Sequence, residues 1–317
     1  MYVERFKSGS WVVTRSILLV GLIFVVLYPI LVKVSTVFKD KADIYNPTVV
    51  WIPENFTLDN IRVAYEIMEY WPTLFNTFAL SAVTMLLQLA SCALAGYGFA
   101  KLKSKWGNAL FAGVVLTILI PPQTFIVPLY LHFRYFDFLG AVQLVSGERG
   151  INLIDTYWPF LLTAATGNAL KSGLYIYIFR QFFLGLSKEL EEAAFVDGAG
   201  VFGSFARIVL PTSIPAIVTV SLFSFVWQWN DTFFTGNFLT ESQVLSKELL
   251  ALPSNVGNYL LFEAPGASLS NSANIDPFYA SMLVDTGLLL AILPLIVMYL
   301  FVQRFFVESI ERTGIVG

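Results

Sequence analysis

Charge is what this chain has least of: 13% of its 317 residues are Asp, Glu, Lys or Arg, where a soluble domain carries roughly 25%. Apolar residues fill the gap, at 56% hydrophobic and 16% aromatic with a mean hydropathy of +0.70, so the chain is a membrane protein. A net charge of −3 with no long basic run offers no field for a polyanion, which sets nucleic acid aside. Histidine and cysteine occur once each, as His132 and Cys92, too few for a His/Cys metal cage. Cys92 lies inside an apolar run, where it behaves as a small hydrophobe and says nothing about redox compartment. No His-Glu-x-x-His, Gly-x-Ser-x-Gly or Gly-x-x-x-x-Gly-Lys-Ser/Thr is present, so metalloprotease, hydrolase and P-loop chemistry have no local signature. If ATP drives anything here, another chain hydrolyses it.

What is abundant is long apolar runs. A bilayer core of about 30 Å takes about 20 helical residues, and six runs answer that need, at 16–36, 73–99, 108–133, 157–184, 212–235 and 280–303. Arg5, Lys7 and Arg15 before the first run resemble a signal-peptide start, but no small-x-small cleavage site follows, so the run is read as a retained span. An even number of spans puts both termini on one side. Segments 1–15, 100–107, 180–210 and 304–317 hold 11 Lys and Arg in 68 positions, against 6 in 103 for 37–72, 134–156 and 236–279. The dense side is expected to be cytoplasmic, and with it both termini. Lys33 and Lys171 fall within runs.

No linker divides the runs, and no internal repeat is convincing. The expectation is one all-α polytopic domain: 1–72 as N-terminal segment, first span and outer loop; 73–303 as the core; 304–317 as a tail. Within 37–72 a short amphipathic helix is expected near Leu58–Tyr70. The loop 236–279, with its Ser, Asn and Gly cluster from Ser268 to Asn274, reads as irregular or mobile. Pro29 and the Pro121-Pro122 pair are expected to kink their helices.

The stretch Lys188–Pro211, KELEEAAFVDGAGVFGSFARIVLP, interrupts this pattern. Ser187 suits a helix N-cap, with Glu189 and Glu191 favoured in the first turn. Asp197-Gly198 supplies a turn, since glycine tolerates positive φ. A second short helix is expected over Val201–Val209, with Phe202, Phe205 and Ile208 on one stripe. Pro211 suits the first turn of the span that follows. Residue types alone leave two readings open: an amphipathic connector, or a helix–turn–helix that another protein approaches closely.

Glu192-Ala193-Ala194, three residues, Gly198, nine residues, Ile208, one residue, Leu210-Pro211 resembles at every fixed position the EAA signature of permease subunits in binding-protein-dependent ABC importers. The similarity continues in Ala95–Lys101 (AGYGFAK), Ile120–Gln123 (IPPQ), Phe179–Phe183 (FRQFF), Trp229–Asp231 (WND) and Gln303–Val307 (QRFFV), which look like the carbohydrate-uptake branch, as in the six-span maltose-transporter subunit. The resemblance implies a type I importer permease fold and passage of a carbohydrate, an oligosaccharide by the branch. It also implies a homologous second permease, two copies of an ATPase subunit that hold ATP and Mg, and an extracytoplasmic solute-binding protein. On that model Glu192–Pro211, within the coupling loop 188–211, is a coupling helix: Glu192 pairs with a basic residue of the ATPase, Ala193 and Ala194 face its groove, and Gly198 permits the turn. The tail Glu311–Gly317 matches the family's Gly-rich terminus in part, with Val316 where a lysine is usual; a frayed end is the other reading. The segment Val142–Ile154 lengthens its loop beyond the family pattern.

Lys171 and Asp285, inside runs four and six, are costly at membrane depth. They read either as a pair lining the translocation path or as structural and boundary residues. Tyr175, Tyr177, Trp227, Trp229 and Asn230 offer the rings and amide that a sugar path needs, although tryptophans also anchor at membrane interfaces. A self-sufficient carrier or channel would need coupling-ion sites and usually a two-fold repeat, which the sequence does not show clearly. A membrane hydrolase would need a nucleophile–base or metal motif.

Overall fold

The computed structural model describes residues 2–101, 105–264 and 275–314. Among these the regular elements are helices, and the β-type pairings are two isolated bridges, Lys39 with Phe56 and Phe136 with Ile151. The first half holds α1 (Tyr2–Val37), α2 (Asp59–Ile67), α3 (Tyr70–Lys101), α4 (Lys105–Leu119) and α5 (Ile126–Arg134). Next come α6 (Trp158–Ala165), α7 (Ser172–Leu184), α8 (Lys188–Val196), α9 (Val201–Ser204), α10 (Ile214–Trp229), α11 (Leu245–Asn258) and α12 (Pro277–Gly314).

The stretches Trp11–Val37, Tyr70–Lys101 and Pro277–Arg304 are long and apolar enough, by length and composition, to cross a bilayer. Pro29 sits inside α1 without ending it. The other expected runs are interrupted. Run 108–133 stops at Leu119 and resumes at Ile126, because Pro121 and Pro122 bring no N–H and a fixed φ; a tight turn over Pro122–Thr124 fills the gap. Run 157–184 divides between α6 and α7, where Gly167 and Lys171 take φ of +69° and +63°. The fifth run begins at Ile214, and the Val201–Thr212 helix before it is bent from α10 by 78°; counted as one crossing, the pair would make a fourth.

The chain forms two compact units, one of Met1–Tyr70 with Glu248–Pro294, the other of Trp71–Lys247 with Leu295–Gly317. In the larger unit the packing turns on one amide. Gln88 of α3 is buried, donates from Nε2 to the Leu170 carbonyl (2.8 Å) and the Ser172 hydroxyl (2.8 Å), and accepts at Oε1 from Ser224 of α10 (2.6 Å). Two turns further along α3, Gly96 lets α7 approach: a Cβ there would sit 2.6 Å from Phe179 Cβ. Close approach at a small residue is how helices associate where lipid removes the hydrophobic drive. Around that crossing Tyr97, Tyr175, Phe179, Phe183, Phe205 and Val209 form one core cluster. The AGYGFAK and FRQFF motifs are two sides of this contact, since Arg180 also donates from Nε to the Phe99 carbonyl (3.4 Å) and lays its guanidinium 4.0 Å from the Phe111 ring centroid.

In the smaller unit the segment after α1 is pinned by polar anchors. Lys39 is buried and donates from Nζ to the Val49 carbonyl (2.6 Å), and Asn60 of α2 donates to the carbonyls of Val37 (2.9 Å) and Lys39 (2.8 Å). The amphipathic helix expected near Leu58–Tyr70 is α2. Much of the loop expected to be irregular is helical: α11 occupies Leu245–Asn258 with Leu245, Leu252 and Val256 buried, and the Leu245 N–H donates to Thr77 Oγ1 (2.8 Å). Residues 268–274 lie outside the described residues. Back in the larger unit, the loop 134–156 folds through the Phe136–Ile151 bridge, and its far end is clamped at Asp155, which accepts from the Glu241 N–H (2.8 Å) and the Thr240 hydroxyl (2.7 Å).

Two predictions follow from this packing. Gly96→Leu should cost about 1–3 kcal/mol by overpacking the α3–α7 crossing, seen as a lower thermal midpoint in detergent; an unchanged midpoint would show that the helices separate without penalty. The backbone bond from Glu241, then the Thr240 hydroxyl, hold the Asp155 carboxyl below its usual range. A depressed folded pKa contributes stability that is full above the ordinary value of about 3.9 and is lost as pH falls through the folded value. Asp155→Asn, which tolerates the +66° φ at this position, should therefore be less stable at neutral pH and show a flatter acid limb below about pH 4. Superimposable pH curves would contradict the clamp.

Candidate functional site

The Lys188–Pro211 stretch folds as a helix, a tight turn and a second helix. Ser187 accepts from the Glu189 N–H at Oγ (3.3 Å), which starts α8. The helix ends by wrapping its last carbonyls: the Ala199 N–H donates to the Ala194 carbonyl (2.9 Å), and the Gly198 N–H to that of Phe195 (3.1 Å). This two-bond closure needs a left-handed residue after the last turn, and Gly198 takes φ +82°. Among the described residues nothing lies within 4 Å of where a Gly198 Cβ would stand, so backbone conformation, and not space, selects glycine here. After α9 the helix widens into a π turn over Phe205–Val209 and ends at Thr212. Pro211 therefore sits in the last turn before the bend, not in the first turn of the span as the sequence suggests; Pro215 holds that place in α10.

The segment has two faces. Turned inward are Glu191, Ala194, Ser204, Phe205 and Val209, with Ile208 and Leu210 half-buried. Turned outward are Glu192, Phe195, Val196, Asp197, Val201 and Phe202. Val196 is 87% exposed and Phe202 73%, a concentration of uncovered apolar surface beside two exposed carboxylates, Glu192 and Asp197. Ala194, which the resemblance would face toward a partner, is instead 5% exposed, because it shares the inward stripe with Glu191 three residues earlier. The Ala193 side chain is outside the described residues.

The residues named for a solute path take different local roles. Tyr175 and Trp229 are core residues, 0% and 4% exposed, with Trp229 against Phe225 at 5.5 Å. Tyr177 is exposed and stacks on Phe111 (6.2 Å), and Asn230 caps α10 by donating to the Val226 carbonyl (2.9 Å). Lys171 stands at the start of α7 with its ammonium 4.7 Å from the Trp227 ring centroid, a boundary position and a cation–π contact. Asp285 has another partner altogether: Lys33 of α1 forms an ion pair with it. Of the two readings left open for Asp285, the ion pair with Lys33 is of the structural kind, both residues lying in the smaller unit. Asp231 of the WND motif caps the short Phe233–Phe238 helix, accepting from the N–H groups of Phe234 (3.2 Å) and Thr235 (3.0 Å).

Sequence reasoning passed over Gln88, Gln228 and the partner of Glu191. Gln228 lines a small cavity with Phe160, Thr163 and Asn168, between α6 and α10. Glu191 forms an ion pair with Lys101, the last residue of α3. A polar residue recurring inside an apolar run was the available signal for the two glutamines. Among the described residues no group of three or more His, Cys, Asp or Glu is placed to hold a metal ion.

Comparison with known proteins places this geometry. The chain is 27% identical over 312 residues, 97% of each chain, to the arabinooligosaccharides transport system permease protein AraQ of Halalkalibacterium halodurans. It is 27% identical, over 91% of each chain, to the melibiose/raffinose/stachyose import permease protein MelC of Bacillus subtilis. In fold it is similar to a chain in the crystal structure of a bacterial ABC transporter involved in the import of the acidic polysaccharide alginate, with a TM-score of 0.70 at 18% identity over 93% of this chain and 96% of the other. Residues 92–312 match the model of the binding-protein-dependent transport system inner membrane component. That match covers the α3–α7 crossing, the Gly198 turn and the two-faced segment described above, and the chain belongs to this family of inner-membrane permease components.

Proposed function

We propose that this chain forms half of the translocation path of an ATP-driven carbohydrate importer and that residues 188–211 dock onto a cytoplasmic ATPase subunit. Oligosaccharides are the solute class, on the strength of relatives named for arabinooligosaccharides and for melibiose, raffinose and stachyose. The partners are a homologous second permease, two ATPase copies that hold ATP and Mg, and an extracytoplasmic binding protein that supplies most of the selectivity. Both termini are cytoplasmic, as the Lys and Arg distribution favours.

The observation that carries the docking role is the outward face of the segment. A loop bathed only by solvent has no reason to hold Phe202, Val201, Val196 and Phe195 exposed around a left-handed glycine. A helix–turn–helix whose apolar ridge and Glu192 enter a groove on a partner accounts for both features. Closure of the ATPase pair then moves the segment as a lever, switching the path between its two access states. Of the rings and amide named for a path, Tyr177, Trp227 and Asn230 are the ones that remain exposed for contact with sugar hydroxyls and ring faces.

Glu192→Lys and Gly198→Val test the docking. The first reverses the outward charge; the second places a β-branched residue at φ +82°, a strain of about 1–3 kcal/mol. Each should leave the chain in the membrane while abolishing solute uptake by whole cells. Normal uptake by either well-expressed variant would remove the coupling role.

A further inference from the structure

The ion pair between Lys101 and Glu191 joins the end of the second span to the docking segment from inside. Glu191 is nearly buried, its side chain 11% exposed, while its neighbour Glu192 points out. Lys101 also lies 5.6 Å from the centroid of the Tyr97 ring. That ring in turn packs at 4.9 Å on Phe205, in the π turn of the segment's second helix, and at 5.8 Å on Phe183 of α7. Both halves of the segment are therefore fastened to the same end of α3: α8 by charge, the second helix by aromatic contact. The ring contacts are non-directional and survive a small rotation. The ion pair ends on a single carboxylate and fixes the rotation of α8 about its own axis, which decides whether Glu192, Phe195 and Val196 point toward a partner.

We propose that Lys101 and Glu191 are positioning residues for coupling: the pair sets the orientation of α8 and transmits its displacement to α3, so that nucleotide-driven movement reaches the span. The proposal rests on the docking reading. In the partly shielded setting of Glu191, charge-assisted hydrogen bonding holds that orientation more firmly than a surface ion pair would.

The test uses the complete transporter in proteoliposomes, with this chain carrying K101E, E191K or both, and reads solute imported per ATP hydrolysed, normalised to assembled complex. A loss of assembly alone lowers the amount of complex and leaves that ratio intact, so the ratio separates positioning from structural support. Each single variant should lower the ratio by about tenfold, the size expected for losing one charge-assisted bond, and the double variant, which restores opposite charges, should recover most of it. Where a charge reversal blocks assembly, E191Q, of equal shape, should still lower the ratio. An unchanged ratio in K101E, E191K and E191Q, or a double variant no better than the worse single, overturns the proposal. Glu192→Lys separates the two ideas: if it abolishes uptake while the Lys101 and Glu191 variants stay fully coupled, only the positioning role fails; if it transports normally, the docking reading itself fails.

Discussion

A polar group sealed among apolar helices must find its partners inside the protein, because lipid offers none. Gln88 meets that constraint by giving its amide to three places at once: the backbone before α7, the first residue of α7, and α10. The arrangement fixes the rotation of α3 about its axis, since a shift of one residue would turn the amide by about 100° away from all three. With α3 so set, Gly96 falls at the crossing with α7 and Tyr97 at the head of the aromatic cluster. The orientation of the second span is thus decided in mid-bundle and carried to its end at Lys101.

From that end the functional segment inherits its geometry. Inward residues of α8 and the π turn attach to α3 and α7, and the outward residues stay exposed, as the proposed docking requires. Attachment at several points ties the segment to its span, which the proposed transmission needs. The 78° bend at Ser213 lets the segment lie across the direction of α10 while remaining covalently continuous with it. The widened turn over Phe205–Val209 ends just before Pro211, whose missing N–H a regular helix would have needed.

Local chemistry was legible in the sequence, and long-range pairing was not. Ser187, Gly198 and the Pro121-Pro122 break act within a few residues of themselves, so their roles could be read directly. The helix near residues 59–67 showed in Asp59, Arg62 and Glu66, which recur at three- and four-residue spacing between apolar positions. The α11 helix did not, because Pro253 and scattered Ser and Asn masked a stripe of Leu245, Leu252 and Val256. Asp285 could not be assigned to Lys33 from sequence, as the two lie 252 positions apart with no pattern linking them. Glu191 and Glu192 are the sharpest case: adjacent and chemically identical, they differ only in which way the helix turns them, and tertiary contact alone makes one an internal anchor and the other an outward group.

The central claim is that the outward face of residues 188–211 meets an ATPase subunit, and proximity tests it most directly. Phe202→Cys places a thiol on that face, while the native Cys92 is fully buried. In membranes holding the assembled transporter, a short thiol-to-amine crosslinker should join position 202 to the ATPase subunit, with a yield that changes when nucleotide is added. Absence of any such adduct in the assembled complex, or labelling of position 202 by a membrane-impermeant thiol reagent added outside intact cells, would contradict the account.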